Sequence, residues 1–423
     1  MIETSSGSLT SPARGICSTI CVNAYRFAWS AVLAMVVLLL LSVEASAQAQ
    51  NEVSRLVERK GDLATANAAR WSDAQEWEFV LDGKWEPRGT AKFFRWGQLA
   101  ETGRTTGVAL SDGSLLSAER WKLEGDRLQV TLATGVEFVV PRSRAIAVVR
   151  AWPAAPLERS RQLRAWRLQA ETRDQVQLAS GDMLNGIVLG GAFDAGEAAD
   201  ESPSPKPAEK RVDDSSSMTN RLRLELARGE TSVEISAVNS IVFRAEGRVE
   251  RRGDSPRWVI GLDDGSLLQV MKLEAKAGRL HGELLGGVVW ECDRNAFCES
   301  ICFVQPIDEP DRAASNSRYV SDLESAGYRH VSWLGREWPF ARDGNVLGGD
   351  LRAGDRTYVK GIGMHATSRL AFDLEGRFDK LRGEVALDDA AESRGSVVFR
   401  AYVDRGDGQW TQVYASEVVR GGT

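Results

Sequence analysis

Few of the side chains that usually carry chemistry occur in this sequence. There are 3 histidines, His281, His330 and His365, in separate segments. No Gly-x-Ser-x-Gly elbow accompanies them, which removes the most readable form of a serine nucleophile. Neither a glycine-rich nucleotide loop nor a metal triad is visible, so the chain reads as non-catalytic. Carboxylates are plentiful, but a glycosidase needs two of them held about 5 to 10 Å apart across a cleft, a spacing that no sequence displays. A basic stripe is missing too. The 53 Lys and Arg are interspersed among 59 Asp and Glu, for a net charge of -6. Phosphate neutralisation then has no surface to act from, and nucleic acid is not an expected partner. Hydrophobic residues at 43% and charged residues at 26% sit near globular averages, so most of the chain can bury cores. Its 423 residues exceed a single core and imply several domains.

One apolar run stands out near the N-terminus. Arg14 and Arg26 precede an uncharged stretch from Phe27 to Val43, and Ala45-Ser46-Ala47 follows. That order is the order of a signal peptide over residues 1-47. A membrane anchor is the alternative, because the run lies near the lower limit of about 17 residues for a spanning helix. Small residues at Ala45 and Ala47, and no basic stop-transfer cluster after them, favour cleavage. In either case residue 48 onward is expected outside the cytoplasm: secreted, periplasmic or in the cell envelope. Membrane contact is expected only through the N-terminal segment, if it is uncleaved. The sequence has 5 cysteines, of which Cys17 and Cys21 fall in this leader. The remaining Cys292, Cys298 and Cys302 make an odd set, expected to hold one local disulfide and a spare thiol. Zinc on these thiols with His281 is the alternative, but the spacing lacks a Cys-x2-Cys knuckle.

The middle of the chain repeats itself. Val108-Ala109-Leu110-Ser111-Asp112-Gly113-Ser114-Leu115-Leu116 parallels Val259-Ile260-Gly261-Leu262-Asp263-Asp264-Gly265-Ser266-Leu267-Leu268, and Val176 to Leu184 is a weaker copy around Ser180-Gly181-Asp182. An alternating apolar run, an Asp-Gly or Ser-Gly turn and a second apolar pair make the short-range signature of a β-hairpin. Further alternating runs follow each copy. Small closed barrels of SH3-like or Sm-like size are expected over 75-150, 165-245 and 255-306, because closure removes exposed strand edges. Residues 48-74 read as a short helical or linker segment, with helical character from Asn51 to Ala69, and a second short helix is expected over Arg159 to Gln169. A Pro/Ser-rich insertion over 195-218 cannot bury enough surface to order itself. Another linker, Gln305 to Arg312, precedes a C-terminal module over 312-423.

That module alternates cleanly. Leu370, Phe372 and Leu374 share a face, as do Leu381, Val385 and Leu387, and then Val397, Phe399, Ala401 and Val403. Strand pairing with one wet face explains the pattern, and a β-sandwich is its economical arrangement. Six short motifs run in order: Tyr319-x-Ser321-Asp322-Leu323, Ser332-Trp333, Gly348-Gly349, Lys360-Gly361-Ile362-Gly363-Met364-His365-Ala366, Leu370 to Phe378, and Asp388-Asp389 with Gly395 to Phe399. In this order they resemble the carbohydrate-binding module family NPCBM, found with family 98 glycoside hydrolases. The resemblance implies a galactose-binding-like jelly roll over the last quarter of an all-β chain. The family commonly extends by another strand or two, so the module is expected to be truncated at Thr423.

The resemblance also implies a carbohydrate ligand. Sugars present apolar C-H faces and dense hydroxyls, which call for an aromatic platform and planar polar groups. Trp333, Arg336, Trp338, Arg342, Asp388 and Asp389 are the candidates. Core packing is the alternative for the tryptophans, and a structural calcium or a turn cap for the two aspartates. Gly361 and Gly363 suit special backbone geometry, and His365 is expected to be hydrogen-bonded inside the sandwich. Beside glycan binding stand two other expectations: an envelope protein whose barrels engage protein partners, and an accessory part of a glycoside hydrolase system.

Overall fold

Residues 2-5, 55-59, 62-99, 106-150, 152-153, 155-168, 172-194, 220-244, 256-307, 317-332, 335, 337-354 and 356-421 are described by a computed structural model. The chain is all-β. One hairpin arrangement occurs three times. Gly107–Leu110 pairs antiparallel with Leu115–Leu116 on one side and Ala145–Val149 on the other. Asp174–Leu178 lies likewise between Met183–Asp194 and Val238–Val242. Trp258–Leu262 lies between Leu267–Lys276 and Ile301–Pro306. Each set brings its last strand back beside its first, which is how a short strand run closes.

Turn chemistry explains why each hairpin starts where it does. Gly113, Gly181 and Gly265 have φ of 97, 93 and 85°, a region costly for any residue with a Cβ. Asp112 Oδ1 accepts from Ser114 N at 2.8 Å, and Asp264 Oδ1 accepts from Ser266 N at 2.7 Å. Each aspartate thus pins the turn that its own glycine makes.

The first and last copies meet each other. Gln269 N donates to Ser114 Oγ at 3.0 Å, and Ser117 N donates to Ser266 Oγ at 2.9 Å, around a Leu115 to Leu267 bridge. The serine common to both motifs is therefore a reciprocal cross-link. Together the copies and the strands Arg55–Glu58 and Phe93–Gly97 form one 19-stranded hydrogen-bonded sheet. Its core is rich in rings: Trp71 meets Trp77 and Trp258 edge-on at 5.3 and 5.1 Å. Such pairs add about 0.5–1.5 kcal/mol beyond area burial.

Three expectations need correction. Asn51 to Ala69 is not helical where it is described: Arg55–Glu58, Leu63–Thr65 and Ala69–Trp71 are strands. Leu56 packs into the main core while Val57 packs on Phe94 and Tyr319, so both faces are covered and period-two alternation is lost. No disulfide joins Cys292, Cys298 and Cys302 to one another. Cys292 is buried, and desolvation pushes its thiol up to about 12. The third correction is Leu381, expected on the buried face but 41% exposed.

The helix Pro156–Leu168 begins on a proline, whose fixed φ suits a first turn. Its Leu163 and Trp166 pack on Ala109, Ile146 and Val149. No described helix is long and apolar enough to cross a membrane. Ile2–Ser5 is a short strand, whereas the rest of the segment expected to be a signal peptide and the expected insertion 195-218 lie outside the described residues.

Candidate functional site

The C-terminal module is built from short antiparallel pairs: Ser325–His330 with Ser368–Phe372, Ala341–Arg342 with Ile362–Gly363, Leu351–Ala353 with Arg356–Tyr358, and Arg400–Asp404 with Trp410–Ala415. Polar knots hold these pairs together. Lys360, 5% exposed, sets Nζ 2.5 Å from Asp322 and 2.7 Å from Asp343. Asn345, also buried, accepts on Oδ1 from Leu347 N and Gly349 N and donates through Nδ2 to Asp350 O. The paired charges of Lys360 and the bonded amide of Asn345 are both costly to strand when buried, so each knot fixes the loops that supply it.

The module docks on the barrel strands. Tyr319 donates its hydroxyl to Phe94 O at 3.0 Å, and Gln305 Nε2 donates to that hydroxyl at 3.2 Å. Arg95 pairs with Glu384 at 3.2 Å, and Tyr358 donates to the same carboxylate at 2.8 Å. Burial first, then Glu384, pushes the Tyr358 hydroxyl up to about 12. Burial works to raise Glu384, but Arg95 and the Tyr358 hydrogen bond outweigh it and hold the carboxyl below its usual range.

At the Ser325–His330 pair, rings gather at the surface. Alternation sets Tyr328 and His330 on the half-buried face, opposite Leu370 and Ser368. Tyr328 OH donates to Trp338 O at 2.7 Å, and Trp338 N donates to His330 Nδ1 at 3.1 Å. An accepting Nδ1 puts the neutral ring's proton on Nε2. The Trp338 ring then stacks on His365, centroids 5.5 Å apart and planes 20° off parallel, while His330 meets the same imidazole edge-on at 5.5 Å. Trp338 is half-buried and His365 is exposed. The result is an aromatic and imidazole platform at the surface. Such a platform packs against apolar C-H faces and supplies ring N-H groups to hydroxyls.

The expected site residues divide. Trp338 joins this platform. His365 is not enclosed in the sandwich, as the sequence implies, but faces outward on it. At Gly363 a Cβ would lie 2.5 Å from Gly344 O, so the glycine serves the close approach of two chain segments. Gly361 N donates to Asp343 Oδ1 in the Lys360 knot. Arg342 is not a free sugar contact; its Nη1 donates to the carbonyls of Ser321 and Leu323. Asp388 caps a turn through Ala390 N at 2.9 Å and accepts from Arg352 N at 3.2 Å. Asp389 accepts from Gly354 N at 2.9 Å. The two aspartates are thus engaged in holding loops, and no group of three or more carboxylate, imidazole or thiol side chains among the described residues is placed to hold a metal ion. Trp333 and Arg336 lie outside the described residues.

Residues 316-423 match the NPCBM/NEW2 domain. The match takes in the ring platform, the polar knots and the docking residues from Tyr319 onward. A protein of Renibacterium salmoninarum named "Putative endo-alpha-N-acetylgalactosaminidase" is 27% identical over 135 residues, which cover 30% of this chain and 8% of that relative. This chain thus spans a small fraction of the relative's length. No solved structure gives a significant match. Sequence reasoning overlooks Tyr328 and His330 as members of the NPCBM/NEW2-like surface. Their i, i+2 spacing on one strand was the available signal.

Proposed function

We propose that this chain is an exported, non-catalytic protein that binds a polysaccharide or glycoconjugate through its C-terminal module. The observation that carries the reading is the exposed His365 stacked on Trp338 within the region matching NPCBM/NEW2. Tyr328 and His330 hold the tryptophan backbone from behind, so the platform is set before a ligand arrives and loses little side-chain freedom on binding. The barrel strands then act as a rigid mount and as a surface for protein partners in the cell envelope, the periplasm or the secreted medium. Asp388 and Asp389 serve as loop fasteners.

Calorimetric titration and a glycan array on the full chain test this, with N-acetylgalactosamine-containing glycans first because of the relative's name. Retention of a glycan by the wild type and its loss in Trp338→Ala is the expected result. Equal retention by both proteins would remove the platform from the reading, and no retention of any glycan would remove the reading itself.

A further inference from the structure

We infer that the glycan taken by this module is anionic, with Arg329 and Arg369 holding a carboxylate or sulfate group on the sugar. The inference rests on the carbohydrate reading above and deepens it. Arg329 and Arg369 are register partners across the antiparallel pair, one step along from His330 and Ser368. Both are exposed, and neither has an ion-pair partner among the described residues.

Such an arrangement works against folding. Side chains directly opposed across antiparallel strands have Cβ atoms about 4.5–5.5 Å apart, and like charges there destabilise the pair. An oxyanion seated between the two guanidinium groups converts that repulsion into charge-assisted hydrogen bonds. Arginine suits this role better than lysine, because its planar fork matches two oxygens of one carboxylate or sulfate.

Local charge agrees. From Ser325 to Ala341 the acids amount to Glu337 alone, and Gly361 to Phe372 contains none, in a chain of net charge -6. The positive end is therefore a local feature set against the overall balance, which is what attracts an anionic ligand to one place. The strand pair also joins the two kinds of recognition. Its other face carries Tyr328 and His330, which position Trp338. Rings and arginines thus occupy opposite faces of one two-stranded element. A single sugar unit does not reach both faces; an oligosaccharide crossing the strand edge does.

The test uses the full chain against immobilised sulfated and uronic-acid polysaccharides, each beside its desulfated or carboxyl-reduced counterpart, together with neutral glycans. Retention of an acidic polymer is expected to exceed that of its neutralised counterpart and to fall at least about tenfold in Arg329→Gln/Arg369→Gln, the scale of one charge-assisted hydrogen bond. Which treatment abolishes binding identifies the oxyanion. Thermal unfolding of the double variant should be unchanged or shifted upward, since a repulsion is removed. Equal binding of acidic and neutralised polymers, or an unaffected double variant, overturns the inference while leaving the carbohydrate reading intact. Competition by inorganic sulfate as effective as by the polymer also overturns it, because the sugar then plays no part. No retention of any acidic or neutral glycan brings down both.

Discussion

Asp174 offers a direct test of what joins the first and second hairpin sets. Its carboxylate is fully buried, accepts from Val188 N at 2.7 Å and Arg244 N at 2.9 Å, and pairs with Arg142. Arg142 in turn donates to Val188 O at 2.6 Å, and its side chain is 11% exposed. Burial drives the Arg142 pKa down and Asp174 is the largest influence opposing it. Asp174→Ala therefore strands a guanidinium in low dielectric and leaves two backbone amides without an acceptor. Breaking a buried pair by removing one partner costs about 3–5 kcal/mol, the amides being part of that sum. If stranded charge is the main cause, Arg142→Met/Asp174→Ala should recover about 1–2 kcal/mol of the loss, because replacing both partners spares the uncompensated ion. Urea unfolding followed by tryptophan fluorescence reads both values, with hydrogen exchange at the Val188 and Arg244 amides as a local report. A loss in Asp174→Ala below about 1 kcal/mol, or a double variant costing the sum of its singles, would refute the reasoning.

Three more outcomes follow from the geometry. Gly97→Ala should destabilise by more than the roughly 1–2 kcal/mol of a left-handed backbone, since the added Cβ would sit 1.9 Å from Cys302 O; thermal unfolding checks it. The docked state should depend on pH through Glu384 and Tyr358. Glu384 is held below its usual range, so its contribution is present above that range and is lost as pH falls through the lowered value. Tyr358 is raised from 10 to about 12, so its contribution is complete below pH 10 and fades as pH climbs toward 12. Thermal unfolding across the pH range reads both limbs, and Arg95→Ala should move the acid limb upward. Finally, Cys292 should resist a disulfide reagent at pH 8 in the native protein and react once unfolded, because its thiol is pushed up to about 12.

Much of the strand pattern is legible from short-range signals. Asp112-Gly113 and Asp264-Gly265 announce hairpins because glycine supplies the backbone angle and aspartate the turn hydrogen bond. Which copies meet is not legible. The Ser117 to Ser266 contact spans 149 residues, and no local preference encodes it. Double coverage hides Leu56 and Val57 in the same way. In the module, Arg342, Asp388 and Asp389 have the residue types a sugar site needs, yet backbone groups use them first. Residue type tells which hydrogen bonds a side chain can make; only the fold tells which are already made. His365 shows the reverse case. Its residue type and place read as a histidine hydrogen-bonded inside the sandwich, yet the ring lies exposed against Trp338.

The docking contacts bear on how the platform works. A module on a loose tether gains from its neighbours only through effective concentration. Here Tyr319 is buried against Phe94 O and Gln305, Arg95 reaches Glu384, and Ser160 Oγ donates to Asp350 Oδ2 at 3.3 Å from the helix Pro156–Leu168. These contacts come from three separate stretches of the barrel region, so rotation about any one of them is blocked by the others. Strand Phe93–Gly97 carries two of the partners and pairs with Ile301–Pro306, whose last residues lead into the module. The sheet that the repeated hairpins build therefore sets the orientation of the surface bearing Trp338 and His365. For the glycan binding proposed above, orientation fixed in advance would lower the entropy lost on engaging an extended polymer, which would give the repeats a part beyond spacing.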